Sequence, residues 1–282
     1  MVKITYINKK GCVTLEEKLE GNLIIIGGAE DKQGDRNILK EVCGKLDKEK
    51  DTLVIATIAS QVPDEMGRQY KTIFNDLGIK NIEILDIENR RNAYRQENID
   101  KVKDASLVFF TGGDQLRITS LIGGTPLCAK IKELYENKCT FVGTSAGASV
   151  MSDTMIVTGP EEESPRKCTL KMAPGLGLIK GVIIDQHFDQ RGRIGRLMVG
   201  IAENPETLGI GIDEDTAIVV DDKGEFKVIG SGAVYVIDGS GISSSNVSEQ
   251  YPDEVLSIFD VKLHVLKSGD SFNILNRMPH SN

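Results

Sequence analysis

The chain has 282 residues, 40% of them hydrophobic and 27% charged, with a formal net charge of −8. That length supports one large globular core, and the acidic balance argues against a general nucleic-acid-binding surface. No stretch approaches the roughly 20 apolar residues of a membrane span.

The start, "MVKITYINKK", alternates apolar and polar like a strand and lacks the apolar run and cleavage site of a signal peptide. A cytoplasmic protein is therefore expected. Short β-branched runs then alternate with helical patterns. "NLIIIGG" (22–28), "TLVIATIAS" (52–60), "IEILDI" (82–87), "LVFFTGG" (107–113) and "TFVGTS" (140–145) read as buried strands. Ile38, Leu39, Val42, Cys43 and Leu46 recur at helical spacing, a second helix is expected over Glu65–Leu77 before Gly78, and a third over Pro126–Lys138 with proline at its start. This alternation predicts an α/β fold, a mainly parallel sheet with helices on both faces. After about residue 205, "TAIVV", "FKVIG" and "AVYVID" are strands joined by turn-rich segments. They predict an antiparallel C-terminal extension of that sheet (about 205–282). The whole is expected to be one domain over 1–282, with an N-terminal strand extension at about 1–20.

Five cysteines, at 12, 43, 128, 139 and 168, include no C-x-x-C pair. They read as buried or incidental thiols rather than as a disulfide framework or a metal cluster, and no metal or other cofactor is expected.

Ligands of an open α/β sheet bind at the carboxyl ends of its strands, and three unusual turns fall there: "GGAEDK" (27–32), "TGGDQ" (111–115) and "GTSAGA" (143–148). The last contains G-x-S-x-G, in which a sharp strand-to-helix turn would raise the Ser145 hydroxyl above the sheet. The Ala146 amide and an amide of Gly112 or Gly113 are placed to receive an oxyanion, and the following helix would add its positive end. Of only three histidines, His264 sits mid-strand in "VKLHVLK" and His280 in the C-terminal tail. His187, just past the apolar run "VIIDQ", is the candidate base. An acidic turn, Asp213, Glu214 and Asp215, offers the orienting carboxylate, and spacing does not choose among the three. The order serine, histidine, acid differs from the serine, acid, histidine of α/β-hydrolases, but such triads are defined by role and not by order.

The blocks "GGAEDK", "FFTGGDQLRI", "GTSAGASVMSDTMI", "MAPGLGLIKGVIIDQHFDQRGRIGRL" and "GIGIDEDTAI" together resemble the cyanophycinase family of serine peptidases, relatives of peptidase E. The resemblance implies a fold akin to class I glutamine amidotransferases and a triad of Ser145, His187 and Glu214. It further implies a pocket lined by Gln115, Asp185, Gln186, Arg191, Arg193 and Arg196, and a homodimer. The substrate it implies is cyanophycin, a poly-aspartate carrying arginine on its side chains, cut along the aspartyl backbone to β-aspartyl-arginine. Guanidinium groups suit the free α-carboxylates of such a polymer. A peptidase E-like aspartyl dipeptidase is the alternative, and the arginine trio argues against it. The polar segment 157–171 is expected to border the site.

Overall fold

The computed structural model describes residues 5–7, 13–15, 21–248, 251 and 253–280. Of the expected N-terminal extension, it includes only the antiparallel pair Thr5–Ile7 and Val13–Leu15; the rest of 1–20, with Cys12, lies outside the described residues.

Every residue of Leu23–Ile26, Leu107–Phe110 and Thr140–Thr144 is buried, as strands covered on both faces must be. Side chains alternate between faces. Ile24 and Ile26 join Ile38, Leu39, Val42, Tyr70, Ile73 and Phe74 in one core. Those six come from the helices Asn37–Cys43 and Pro63–Asp76. Leu23 and Ile25 face a larger core on the other side, with Ile118, Ile122, Leu127 and Ile131, from the helices Gln115–Ile122 and Pro126–Glu136. Pro126 opens the latter helix, and the Thr125 hydroxyl accepts the Cys128 amide at 3.3 Å, a side-chain cap of the kind that satisfies a first-turn donor.

The main sheet has nine strands, in the order Asn81–Leu85, Thr52–Ala56, Leu107–Phe110, Thr140–Thr144, Leu23–Ile26, Thr216–Val220, Glu225–Gly230, Ser271–Asn273, Met278–His280. The first five are parallel and the last four join antiparallel. Two expectations need correcting. "AVYVID" does not extend this sheet: Val234–Asp238 belongs to a second sheet, between Leu208–Ile212 and the edge strand Lys262–Leu266. Both its neighbours are antiparallel, and its Val234 and Val236 complete the larger core. His280 is not in a loose tail but in the outermost strand of the main sheet.

The second sheet matters for the site. Val182–Gln186 and Leu208–Ile212 run parallel with Gln186 opposite Ile212, so His187 and Asp213 leave it side by side. In the main sheet Ile26 lies opposite Thr144, so Gly27 and Ser145 leave together. The His187 amide bonds the Gly27 carbonyl at 2.8 Å, which joins the two sets of strand ends.

Candidate active site

Ser145 stands between Thr140–Thr144 and the helical turn Ala146–Ser149, with φ 54° and ψ −114°. This is the strained elbow expected of G-x-S-x-G. The spelling has a packing cause: a Cβ on Gly143 would lie 2.1 Å from the Gly147 carbonyl oxygen, and one on Gly147 would lie 2.3 Å from that of Phe110. The helix is a single turn, so its contribution at Ser145 comes from its first amides rather than from a long dipole.

Ser145 Oγ lies 2.8 Å from His187 Nε2, and His187 Nδ1 lies 2.6 Å from Glu214 Oε1. A carboxylate only accepts, so Nδ1 carries the proton and Nε2 is left to accept the serine hydroxyl. The His187 side chain is 11% exposed. Burial pushes its pKa below the ordinary value, the Glu214 hydrogen bond partly opposes this, and Arg191 and Arg193 lower it further. The imidazole is therefore neutral near pH 7, the form a general base requires.

The acidic turn divides its labour. Asp213 is buried and ties loops together, accepting the Asp189 amide at 3.0 Å and the Ala233 amide at 2.9 Å. Asp215 accepts the Asp31 amide at 2.9 Å and the Ser231 hydroxyl at 2.7 Å. Glu214 alone reaches the histidine, and its amide is held by Gln190 Oε1 at 2.9 Å.

"GGAEDK", with the strand end before it, turns out to align the segments that carry Ser145, His187 and Glu214. The Ile26 carbonyl accepts the Ser145 amide at 3.1 Å, and the Gly28 carbonyl accepts the Asp215 amide at 2.9 Å. Gly28 packs so close to the imidazole that a Cβ there would meet His187 Cε1 at 2.4 Å. Glu30 is buried and accepts hydrogen bonds from Thr144 Oγ1 at 2.6 Å and from the Tyr70 hydroxyl, with Lys32 Nζ at 3.2 Å. Sequence reading flagged this turn without finding its task. Its signal was an acid where a tight glycine turn needs none.

The pocket residues fall into two groups. Asp185 is fully buried and binds Arg196 through two bonds, Nε to Oδ2 at 2.7 Å and Nη2 to Oδ1 at 2.5 Å, with Arg193 Nη1 at 3.4 Å. Arg193 also donates to the Gln186 carbonyl at 2.5 Å. Gln186 accepts the Ser149 hydroxyl at 2.7 Å, and Gln115 donates to the Ile156 carbonyl at 2.8 Å. Arg191 is different: 48% of its side chain is exposed, against 5% and 6% for Arg193 and Arg196. The segment 157–171 does reach this cluster, through Glu161, which bonds Arg193 Nη2 at 2.5 Å and Nε at 3.0 Å. Glu161 was missed in the sequence, where "PEEES" carries three equivalent acids.

Gly112 faces the candidate nucleophile, its Cβ position lying 3.8 Å from Ser145 Oγ. Gly113, at φ 142°, packs against the Ala59 carbonyl. A cavity of about 410 Å³ beside Thr119, Cys128 and Pro174 lies apart from these residues. Among the described residues no group of three or more His, Cys, Asp or Glu is arranged for a metal ion, and no helix is long and apolar enough to cross a membrane.

The comparisons agree with this architecture. Residues 23–228 match the model of peptidase family S51. The chain is 37% identical over 256 residues to the cyanophycinase of Synechococcus elongatus, covering 90% of this chain and 80% of that one. It is 39% identical over 256 residues to the cyanophycinase of Trichormus variabilis, covering 90% and 86%. A crystal structure of a peptidase from an acI-B1 actinobacterium superposes with a TM-score of 0.59 at 23% identity, over 86% of this chain and 96% of that one, a likeness of fold. The chain belongs to peptidase family S51 and is a serine-type peptidase.

Proposed function

We propose that the protein is a cyanophycinase, which hydrolyses the aspartyl backbone of cyanophycin to β-aspartyl-arginine dipeptides. The observation that carries this is the hydrogen-bonded line Ser145–His187–Glu214 beside a cluster of arginines, in a chain whose relatives are named cyanophycinase.

Ser145 Oγ attacks a backbone aspartyl carbonyl while His187 Nε2 takes its proton. Glu214 holds Nδ1–H and stabilises the imidazolium that forms. The amides of Ala146 and of Gly112 or Gly113 receive the oxyanion. His187 then gives the proton to the leaving amine, and water, deprotonated by the same nitrogen, releases the acyl group. Arg191, with the most accessible guanidinium of the three, is the arginine we assign to the substrate's α-carboxylates. Arg193, Arg196 and Asp185 form the scaffold behind it, with Gln115 and Gln186 beside the nucleophile. A cytoplasmic homodimer is part of this reading through the family resemblance, and light scattering after gel filtration tests the dimer.

The deciding assay incubates the purified protein with cyanophycin and with Asp-X dipeptides, reading products by mass. Release of β-aspartyl-arginine is expected. Cleavage of the dipeptides alone would instead favour a peptidase E-like aspartyl dipeptidase.

A further inference from the structure

One oxygen, Glu161 Oε1, lies within ion-pair range of all three arginines: 2.5 Å from Arg193 Nη2, 3.6 Å from Arg196 Nη1 and 3.8 Å from Arg191 Nη1. We propose that Glu161 is a resident stand-in for a substrate carboxylate, which the polymer must displace to bind productively. This rests on the cyanophycinase reading and adds to it a residue that sets specificity.

The two carboxylates of the cluster are not equivalent. Asp185 has no exposed surface and is bound by Arg196 through two parallel bonds, so it is a permanent counter-ion. Glu161 comes from the excursion between Thr154–Thr158 and Lys171–Pro174, and 40% of its side chain is exposed. Its neighbours Glu162, Glu163 and Ser164 are exposed as well, so the Glu161 side chain can turn out to solvent without opening the core. Three guanidinium groups facing two carboxylates leave one positive charge with Glu161 in place and two without it.

An incoming α-carboxylate therefore exchanges one charge-assisted set of bonds for a similar one, and the net affinity is the difference. A ligand lacking a free carboxylate has nothing to offer in exchange, and Glu161 stays where it is. The residue thus weakens all binding at the cluster while rejecting neutral ligands, a device of specificity rather than affinity.

The test measures binding without turnover, by calorimetry, in the Ser145→Ala protein. The probe is a synthetic oligomer of three β-aspartyl-arginine units. Adding Glu161→Gln, which keeps the shape and removes the charge, is expected to tighten binding roughly three- to tenfold. The same oligomer with its arginine carboxylates amidated is expected to show no such gain. Glu161→Asp, which keeps the charge on a shorter reach, is expected to fall between. Unchanged or weaker binding with Glu161→Gln overturns the inference and leaves the substrate assignment standing. Absence of any binding by the Ser145→Ala protein overturns the substrate assignment and the inference with it.

Discussion

Thr144, the residue before the candidate nucleophile, donates its hydroxyl to the buried carboxylate of Glu30 at 2.6 Å. Glu30 also takes the hydroxyl of Tyr70, whose own pKa is pushed well above 10 by burial and by the Glu30 charge. The serine's position is thus set from below by a buried acid on another loop. Thr144→Val removes one hydrogen bond to that acid, and such bonds to charged groups are worth about 1.5–3 kcal/mol. We expect that loss of stability in urea unfolding, together with a fall in kcat at unchanged KM, since substrate contacts are untouched. Thr144→Ser, which keeps the hydroxyl, should restore kcat; failure to do so would assign the effect to packing.

The line from Ser145 to Glu214 makes a graded prediction. Ser145→Ala and His187→Ala should each lower kcat on cyanophycin by at least about 10⁴-fold, and the double variant should be little worse, because the groups act as a unit. Glu214→Gln keeps the shape but no longer favours a proton on Nδ1, and should cost about 10²–10⁴-fold. Folding of each, followed by circular dichroism, should be unaltered. An active Ser145→Ala protein would refute the assignment of the nucleophile.

The pH profile follows from the environment of His187. In the proposed mechanism its neutral form is the active one, and burial lowers its pKa below the 6.5 of an ordinary imidazole. The acid limb of kcat/KM, which reports the free enzyme, should therefore fall below pH 6.5. Arg191 contributes to that lowering, so Arg191→Gln should move the limb upward. A limb that moved down would contradict the arrangement.

Asp185→Asn tests the scaffold. It removes a fully buried charge that holds two guanidinium groups, and breaking one partner of such a network costs about 3–5 kcal/mol. His187 follows two residues later on the same strand exit, so activity should be lost with stability. A variant as stable as the parent would mean that water or Glu161 satisfies the arginines.

Much of this was legible in the residues. Leu23–Ile26 and Leu107–Phe110 announce buried strands because nothing polar interrupts them, and Pro126 marks a helix start because a missing amide hydrogen costs nothing there. Ser145 and His187 stood out through a glycine-framed turn and through the scarcity of histidine. Three things were not legible. Val234–Asp238 is as apolar and β-branched as Thr216–Val220, and only three-dimensional packing sends it to the second sheet. The arginines were recognisable as a group, but their burial, which separates Arg191 from Arg193 and Arg196, depends on Asp185 and on a loop far away in sequence. Glu161 and Glu30 act through long-range contacts: an acid inside a tight glycine turn was the one local hint of Glu30, and nothing beside Glu161 set it apart from Glu162 and Glu163.

Ser145 and His187 both occupy left-handed backbone, at φ 54° and 48°, and Asp215 beside Glu214 does so at 46°. For a residue with a side chain, holding a positive φ costs about 1–3 kcal/mol, and glycine is the residue that escapes it. A selection for heat tolerance alone would thus favour Ser145→Gly, where little side chain is lost, and would return a hardier protein without the candidate nucleophile. At Ser145 the penalty persists where relaxing it and keeping the hydroxyl exclude each other.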